Sequence, residues 1–342
     1  MKLLLEIDTR VTILSGTFCP HLWNGFFVIN NGDVYSCCLG KPIRIGNIHQ
    51  SKLSELANVP SVVEHRRKSL EGSLECYTEC NFVKRDIPIE KIPDNTEVDY
   101  SGLKRLDLKF GEACNLSCVM CRQASRVPAD RNVLDPRILV NRIDVAPFHD
   151  IILQGGEPLY IAECLQYMDY LERMGKKYTI LTNGLLIDRE MAERLSIHAN
   201  RVIVSLNAAT EETHEIVNRG SSFERVLQNI ESLQEARKRS RTGMKIIGRM
   251  TITVQSIREI PMFIARYPEF GVDYINFGYD KATVPPILSN DPSLRRELRD
   301  ETTEALLLSN LEEIDTLRLI YLGLADPDTF KSSFFSLFHE SV

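Results

Sequence analysis

Residues 103–121 read LKRLDLKFGEACNLSCVMC, and the rest of the chain is read outward from them. Leu106, Leu108 and Phe110 alternate with Arg105, Asp107 and Lys109. That two-residue period is a strand with one apolar and one polar face. The strand runs straight into Cys114, Cys118 and Cys121. Thiolates are soft ligands that suit zinc or iron–sulfur clusters. A closed structural zinc site takes four ligands. Three thiolates on one loop leave one iron of a four-iron cluster without a protein ligand, open to a small molecule. Taken alone, the loop also reads as a zinc knuckle with a distant fourth ligand.

Downstream, short apolar runs at 151–153, 178–181, 202–206, 246–252 and 274–277 have the length and β-branching of buried strands. Helical patterns lie between them. Residues 159–174 end at Gly175, a C-terminal cap. Ser221 and Glu224 form a capping box ahead of Val226, Leu227, Ile230 and Leu233. Another helix starts after Pro261, and a charged helix over 291–314 is opened by Asn290, Asp291 and Pro292. Residues 316–322 read as a last strand. Alternation of this kind implies parallel strands with right-handed crossovers. The fold class is α/β, a partial (β/α)6 barrel over 103–325, with 326–342 as a tail. Gln154-Gly155-Gly156-Glu157-Pro158, Thr182-Asn183-Gly184 and the stretch 204–210 all sit where strands end, the face on which barrels place their chemistry.

Upstream, residues 1–86 form a small cysteine-rich α+β module, and the proline-containing stretch 87–102 reads as a linker. Asn30-Asn31-Gly32-Asp33 is a hairpin signal, and residues 51–70 read as one helix. Of nine cysteines in 342 residues, Cys19, Cys37, Cys38, Cys76 and Cys80 lie in this module. Clustered cysteines in a reducing compartment point to metal or catalysis rather than disulfides. Four thiolates suit a fully ligated [4Fe–4S] cluster or structural zinc, and both readings stay open. Cys38 is an alternative to Cys37.

The apolar start is broken by Glu6, Asp8 and Arg10 and reads as a strand, not a signal peptide. No apolar run approaches the length of a membrane span, so the expected location is the cytoplasm, with no membrane partner. A net charge of −6 argues against a nucleic-acid partner.

The Cys-x3-Cys-x2-Cys loop together with Gly155-Gly156-Glu157-Pro158 resembles the radical S-adenosylmethionine (radical SAM) superfamily over about residues 103–280. The resemblance implies that Cys114, Cys118 and Cys121 hold a [4Fe–4S] cluster that binds SAM. It implies SAM contacts from Met120, Gly155, Gly156 and Glu157, with Glu157 toward the amino group. Ser205 and Asn207 would meet the ribose or carboxylate, and Arg219, in Asn218-Arg219-Gly220-Ser221-Ser222-Phe223, is a further carboxylate partner. Cys19, Gly32 and Cys37, closed by Cys76 and Cys80, resemble the SPASM or twitch module, which implies a second [4Fe–4S] cluster on Cys19, Cys37, Cys76 and Cys80. That module usually follows the barrel; here it precedes it.

The implied function is reductive cleavage of SAM to a 5′-deoxyadenosyl radical that abstracts hydrogen from a small-molecule or peptide substrate. The auxiliary cluster takes up an electron, and a flavodoxin or ferredoxin supplies reductant. The alternatives are a redox-neutral rearrangement, epimerisation or decarboxylation of a sugar- or nucleoside-type substrate, and a non-enzymatic iron–sulfur or zinc sensor. No catalytic acid or base is assigned. Asp107, Lys109, Glu112, Tyr279 and Asp280 are candidate substrate contacts able to take or give a proton, each also readable as a buried ion pair. Cys164 reads as a buried inert thiol.

Overall fold

The structure is a computed structural model that describes residues 4–7, 11–37, 43–76, 80, 83–88, 92–122 and 131–330. The strands are β1 (Leu4–Ile7), β2 (Val11–Phe18), β3 (Gly25–Val28), β4 (Asp33–Tyr35), β5 (Arg44–Asn47), β6 (Lys84–Pro88), β7 (Arg105–Lys109), β8 (Asp150–Gln154), β9 (Tyr178–Thr182), β10 (Ala199–Ser205), β11 (Lys245–Ile252) and β12 (Tyr274–Tyr279). From β7 to β12 every neighbouring pair is parallel. The helices Pro136–Arg142, Ala162–Arg173, Arg189–His198, Phe223–Ser240 and Ile260–Arg266 lie in the successive crossovers. All six expected barrel strands are present.

The period of two in β7 is expressed as two different faces. Leu106, Leu108 and Phe110 are buried in one core with Ile151, Leu153, Tyr178, Ile180, Val202 and Val204. Helix residues Tyr167, Met168, Leu171 and Leu195 complete that core. The opposite face carries Arg105, Asp107, Asp150, Thr179 and Arg201, joined by hydrogen bonds. Parallel sheets usually bury apolar residues on both faces. Here the polar row stands at the strand starts, and Ile152, Ile203 and Ile247 follow it on the same face.

The cysteine-rich module is not hung on a free linker. Its β3 pairs in parallel with β7, in register from Gly25 opposite Arg105 to Val28 opposite Leu108. The hairpin β3–β4 and strand β5 extend the barrel sheet to nine strands, ordered β12-β11-β10-β9-β8-β7-β3-β4-β5. Gly25 permits the join, because a Cβ there would stand 2.0 Å from the Arg105 carbonyl oxygen. Strands β1, β2 and β6 make a separate antiparallel sheet. Phe18, Cys19, Leu22, Trp23, Leu74 and Cys80 form a second small core beside it.

Several local expectations are corrected. Residues 51–70 form two helices, Leu53–Leu56 and Pro60–Leu70. Val59 is extended between them, as the residue before a proline tends to be. Ser222, not Ser221, caps Phe223–Ser240, accepting from the Arg225 N–H. Residues 316–322 hold a short helix, Leu317–Tyr321, instead of a strand; the strand-like contact is a single bridge from Ile314 to Ile275. The stretch 87–102 begins inside β6 and lies against the module. Trp23 Nε1 and Arg66 Nη1 donate to the carbonyls of Asn95 and Thr96. In the tail, Phe330 is buried and its carbonyl accepts from Thr316; residues 331–342 lie outside the described residues.

Candidate functional site

The three-cysteine loop follows β7 at the C-terminal end of the parallel sheet. It is pinned by its backbone: Ser117 N–H donates to the Arg219 carbonyl at 3.1 Å and Val119 N–H to the Val217 carbonyl at 2.9 Å. Leu116 N–H donates to Cys114 Sγ at 3.4 Å. Cys114, Cys118, Met120 and Cys121 are half-buried. Burial raises the Cys118 thiol to about 12, and the charges of Cys114 and Cys121 add to it. Burial also raises the Cys114 thiol, with Glu157 and Cys121 contributing. A cationic body bound to these thiols would reverse that repulsion and hold them as thiolates.

Gly155-Gly156-Glu157 lies against that loop. Gly156 N–H donates to the Gly111 carbonyl and Glu157 N–H to the Ala113 carbonyl, both at 2.9 Å. A Cβ on residue 156 would come within 2.0 Å of the Ala113 oxygen, so glycine is required for the contact itself. The Glu157 carboxylate is 1 % exposed. It accepts from Leu159 N–H (3.1 Å), Thr182 Oγ1 (2.8 Å) and Asn183 N–H (2.7 Å). Burial raises its pKa while these three donors pull it down. Asn183 Nδ2 reaches on to Asn115 Oδ1 at 2.7 Å. Glu157 and Asn183 thus tie the ends of β8 and β9 to the cysteine loop. Thr182-Asn183-Gly184 was legible in the sequence as a strand end, with no role given to Asn183, and Asn115 was not singled out; an asparagine beside a glycine at a strand end was the available signal.

Ser205 ends β10 half-buried on the inner face. Asn207 is buried with φ +62°, and both ends of its amide are used. Its Nδ2 donates to Asn218 Oδ1, and its Oδ1 accepts from Thr251 N–H, each at 2.8 Å. Asn207 knots the strand ends together. His214 joins the knot through the Leu206 carbonyl and Ser221 Oγ, and burial lowers its pKa. The Arg219 side chain is exposed; its carbonyl holds the cysteine loop.

The second cysteine group is assembled from separate segments. Cys19, Cys37 and Cys80 are buried and Cys76 partly so. Burial raises the Cys19 thiol to about 12, and Cys37 and Cys80 raise it further. Cys19, Cys37 and Cys76 line a cavity of about 370 Å³ with Leu22, Ser36 and Ile43. The Ser36 hydroxyl is buried there with no hydrogen-bond partner among the described residues. Four thiols, a cavity and an orphaned hydroxyl fit a cluster body. Among the described residues, no three Cys, His, Asp or Glu side chains surround a position for a single ion. Cys38 lies outside the described residues.

The candidate substrate contacts separate. Asp107 is held by Arg105 at 2.8 and 3.1 Å, with burial raising its pKa against that guanidinium. Lys109 and Glu112 pair at 3.3 Å near the loop. Tyr279 stacks on Tyr321, and Asp280 closes a turn through Ala282 N–H and Thr283 Oγ1. Cys164 is fully buried in the core.

Residues 108–264 match the Radical SAM superfamily and residues 19–81 an iron–sulfur cluster-binding domain, SPASM. An Fe-coproporphyrin III synthase of Methanosarcina barkeri is 32% identical over 154 residues, 43% of this chain and 37% of that protein. A mycofactocin maturase of Mycolicibacterium smegmatis is 27% identical over 189 residues, 54% of this chain and 46% of that protein. The matched region thus spans less than half the length of these relatives. Streptococcus suis SuiB bound to its precursor peptide SuiA aligns with 83% of this chain and 68% of that one, at 18% identity and a TM-score of 0.45. Among the described residues, no helix is long and apolar enough to cross a membrane.

Proposed function

We propose that this chain, a radical SAM protein whose SPASM iron–sulfur domain stands ahead of its barrel, oxidises a small-molecule or peptide substrate by hydrogen abstraction. A [4Fe–4S] cluster on Cys114, Cys118 and Cys121, when bound, supplies the electron that splits SAM into methionine and a 5′-deoxyadenosyl radical. The chain's own part is to leave one ligand position open and to hold the cofactor beside it. Gly155 and Gly156 let the loop and the β8 end touch, so that a small molecule on the loop also meets the β8 turn. Glu157 takes two of its three donors on Oε1 and one on Oε2, so one lone-pair site is left on Oε2 to meet an ammonium. Ser205 offers a hydroxyl from the inner face, and Arg219 a guanidinium from the rim. Cys19, Cys37, Cys76 and Cys80 would hold a second cluster, to which the substrate passes its second electron while a proton leaves. A flavodoxin or ferredoxin is the proposed donor for the first cluster.

The observation that carries this reading is the seam between the two motifs: two backbone hydrogen bonds and a glycine that admits no side chain. The test is anaerobic reconstitution with SAM and dithionite, reading 5′-deoxyadenosine by chromatography. Formation by wild type and loss in Cys118→Ala is the expected result. No deoxyadenosine from iron-replete wild type would sink the enzyme reading. Once a substrate is found, SAM recovered intact after turnover would point to redox-neutral chemistry instead.

A further inference from the structure

Arg249 stands on β11 in one row with Ser205 on β10 and Asn276 on β12. Ser205 is the residue offered to SAM above, so this row belongs to the cofactor end of the lumen. The backbone at Arg249 is fixed, since its carbonyl accepts from the Leu206 and Asn207 N–H groups at 2.9 and 3.1 Å. Its guanidinium lies against Gly278, where a Cβ would stand 2.7 Å from Nη2.

Arg249 is half-buried, and its bonding differs from that of other buried or half-buried arginines. Arg105 pairs with Asp107 and Asp150, Arg201 with Asp150, Arg194 with Asp169 and Glu172, and Arg237 with Asp273. Arg66 has no carboxylate but donates to the Leu22 carbonyl, Asn58 Oδ1 and the Thr96 carbonyl. Among the described residues, Arg249 makes one side-chain hydrogen bond, Nη1 to Asn276 Oδ1 at 3.3 Å, and no ion pair. A guanidinium carries five N–H donors in a planar fork. Leaving most of them without a protein partner on a half-buried side chain keeps them available to a ligand at the inner face. Burial, and then the charge of Arg318, hold the Arg249 pKa below its ordinary value, while Asp315 works in the opposite direction. Asp315 is set there by its N–H donating to the Ile275 carbonyl. Two guanidinium groups offset by one carboxylate suit a monoanion better than a multiply charged phosphate.

We propose that Arg249 binds a carboxylate of the substrate through the free edge of its guanidinium, and so fixes which substrate hydrogen faces the cofactor. This rests on the radical SAM reading above. A planar, bidentate contact would use donors that lysine cannot reproduce.

The test uses anaerobically reconstituted, SAM-loaded holoenzyme in equilibrium dialysis against radiolabelled propionate at constant ionic strength. Wild type is expected to bind the probe saturably. Arg249→Gln should weaken it by about tenfold or more and Arg249→Lys by less. SAM affinity, measured by calorimetry, should stay within about twofold in both variants. Three results would overturn the proposal. One is propionate displaced by SAM, or SAM affinity lost in Arg249→Gln, which would give the guanidinium to the cofactor. Another is inorganic phosphate binding more tightly than propionate. The last is no saturable propionate binding to wild type. Deoxyadenosine formation by the same wild-type preparation is scored separately, so failure of the parent reading is distinguishable from failure of the carboxylate site.

Discussion

The two cysteine groups are built in opposite ways. Cys114, Cys118 and Cys121 come from one loop, are half-buried, and are held by backbone bonds to the 217–219 segment. Cys19, Cys37, Cys76 and Cys80 come from segments spread over about sixty residues; the first three line one cavity, and Cys80 lies with Cys19 in the small core beside it. The first group is framed by those backbone bonds and, with three thiols, leaves room for an exchanging ligand. The second is joined among the described residues by the Thr17–Gly72 bond and the β2–β6 ladder, but its thiols come from separate segments, so a group bound to all of them would also staple the module. The same element therefore fits initiation chemistry in one place, and a closed electron reservoir with a structural duty in the other.

That contrast can be broken by substitution. The largest effect is expected at the open site. Cys118→Ala should lower deoxyadenosine formation by on the order of a thousandfold or more, with little change in melting temperature, because the loop stays pinned. A large loss of stability would contradict the frame described above.

Gly156→Ala should come next. Its Cβ would drive into the Ala113 carbonyl and separate the loop from the β8 end. SAM affinity should fall by roughly a hundredfold, measured by calorimetry on reconstituted protein. Unchanged affinity would mean that the seam is not part of the cofactor site.

At the closed site, Cys19→Ala should cost roughly 2–3 kcal/mol in chemical unfolding of the reconstituted protein, well above Cys118→Ala. Equal costs would erase the distinction between the two groups.

A smaller effect is expected from Glu157. Burial raises its carboxyl above the ordinary value of 4.5. A carboxyl whose folded pKa is raised adds stability below its unfolded pKa and loses it as pH rises through the folded value. Wild type should therefore lose stability as pH climbs above 4.5, with Asp107 and Asp315, also raised by burial, adding to the slope. Glu157→Gln should flatten part of that slope in pH-dependent urea unfolding. An unchanged slope would mean that its three donors outweigh burial.

The smallest effect is Ser222→Ala, which removes the N-cap of Phe223–Ser240. It should cost about 1 kcal/mol and leave the cysteine-rich module untouched, as a thermal melt can check.

Much of this molecule was legible from local patterns. The six barrel strands, the caps at Gly175 and Asp291, the hairpin at Asn30–Asp33 and both cysteine groups follow from period, turn chemistry and spacing, with the family resemblance adding the cofactors. What escaped was non-local. Nothing in Gly25–Val28 says that it will pair in parallel with Arg105–Lys109 some eighty residues on, because pairing partners leave no mark on a single strand. The family resemblance implied Asn207 as a ligand contact; in the structure its amide is spent on Asn218 and Thr251, a pairing that no local sequence pattern marks. Arg249 sits in an ordinary strand pattern, and its isolation emerges only when the neighbours on β10 and β12 are known.

The contrast between an open and a closed cysteine site rests most directly on metal content. The measurement is anaerobic iron and zinc analysis of wild type and of a variant with Cys114, Cys118 and Cys121 all changed to alanine. Two four-iron clusters predict about eight iron atoms per chain, falling to about four in the variant, without zinc. About four iron atoms and one zinc in wild type, with only the zinc surviving in the variant, would contradict the account.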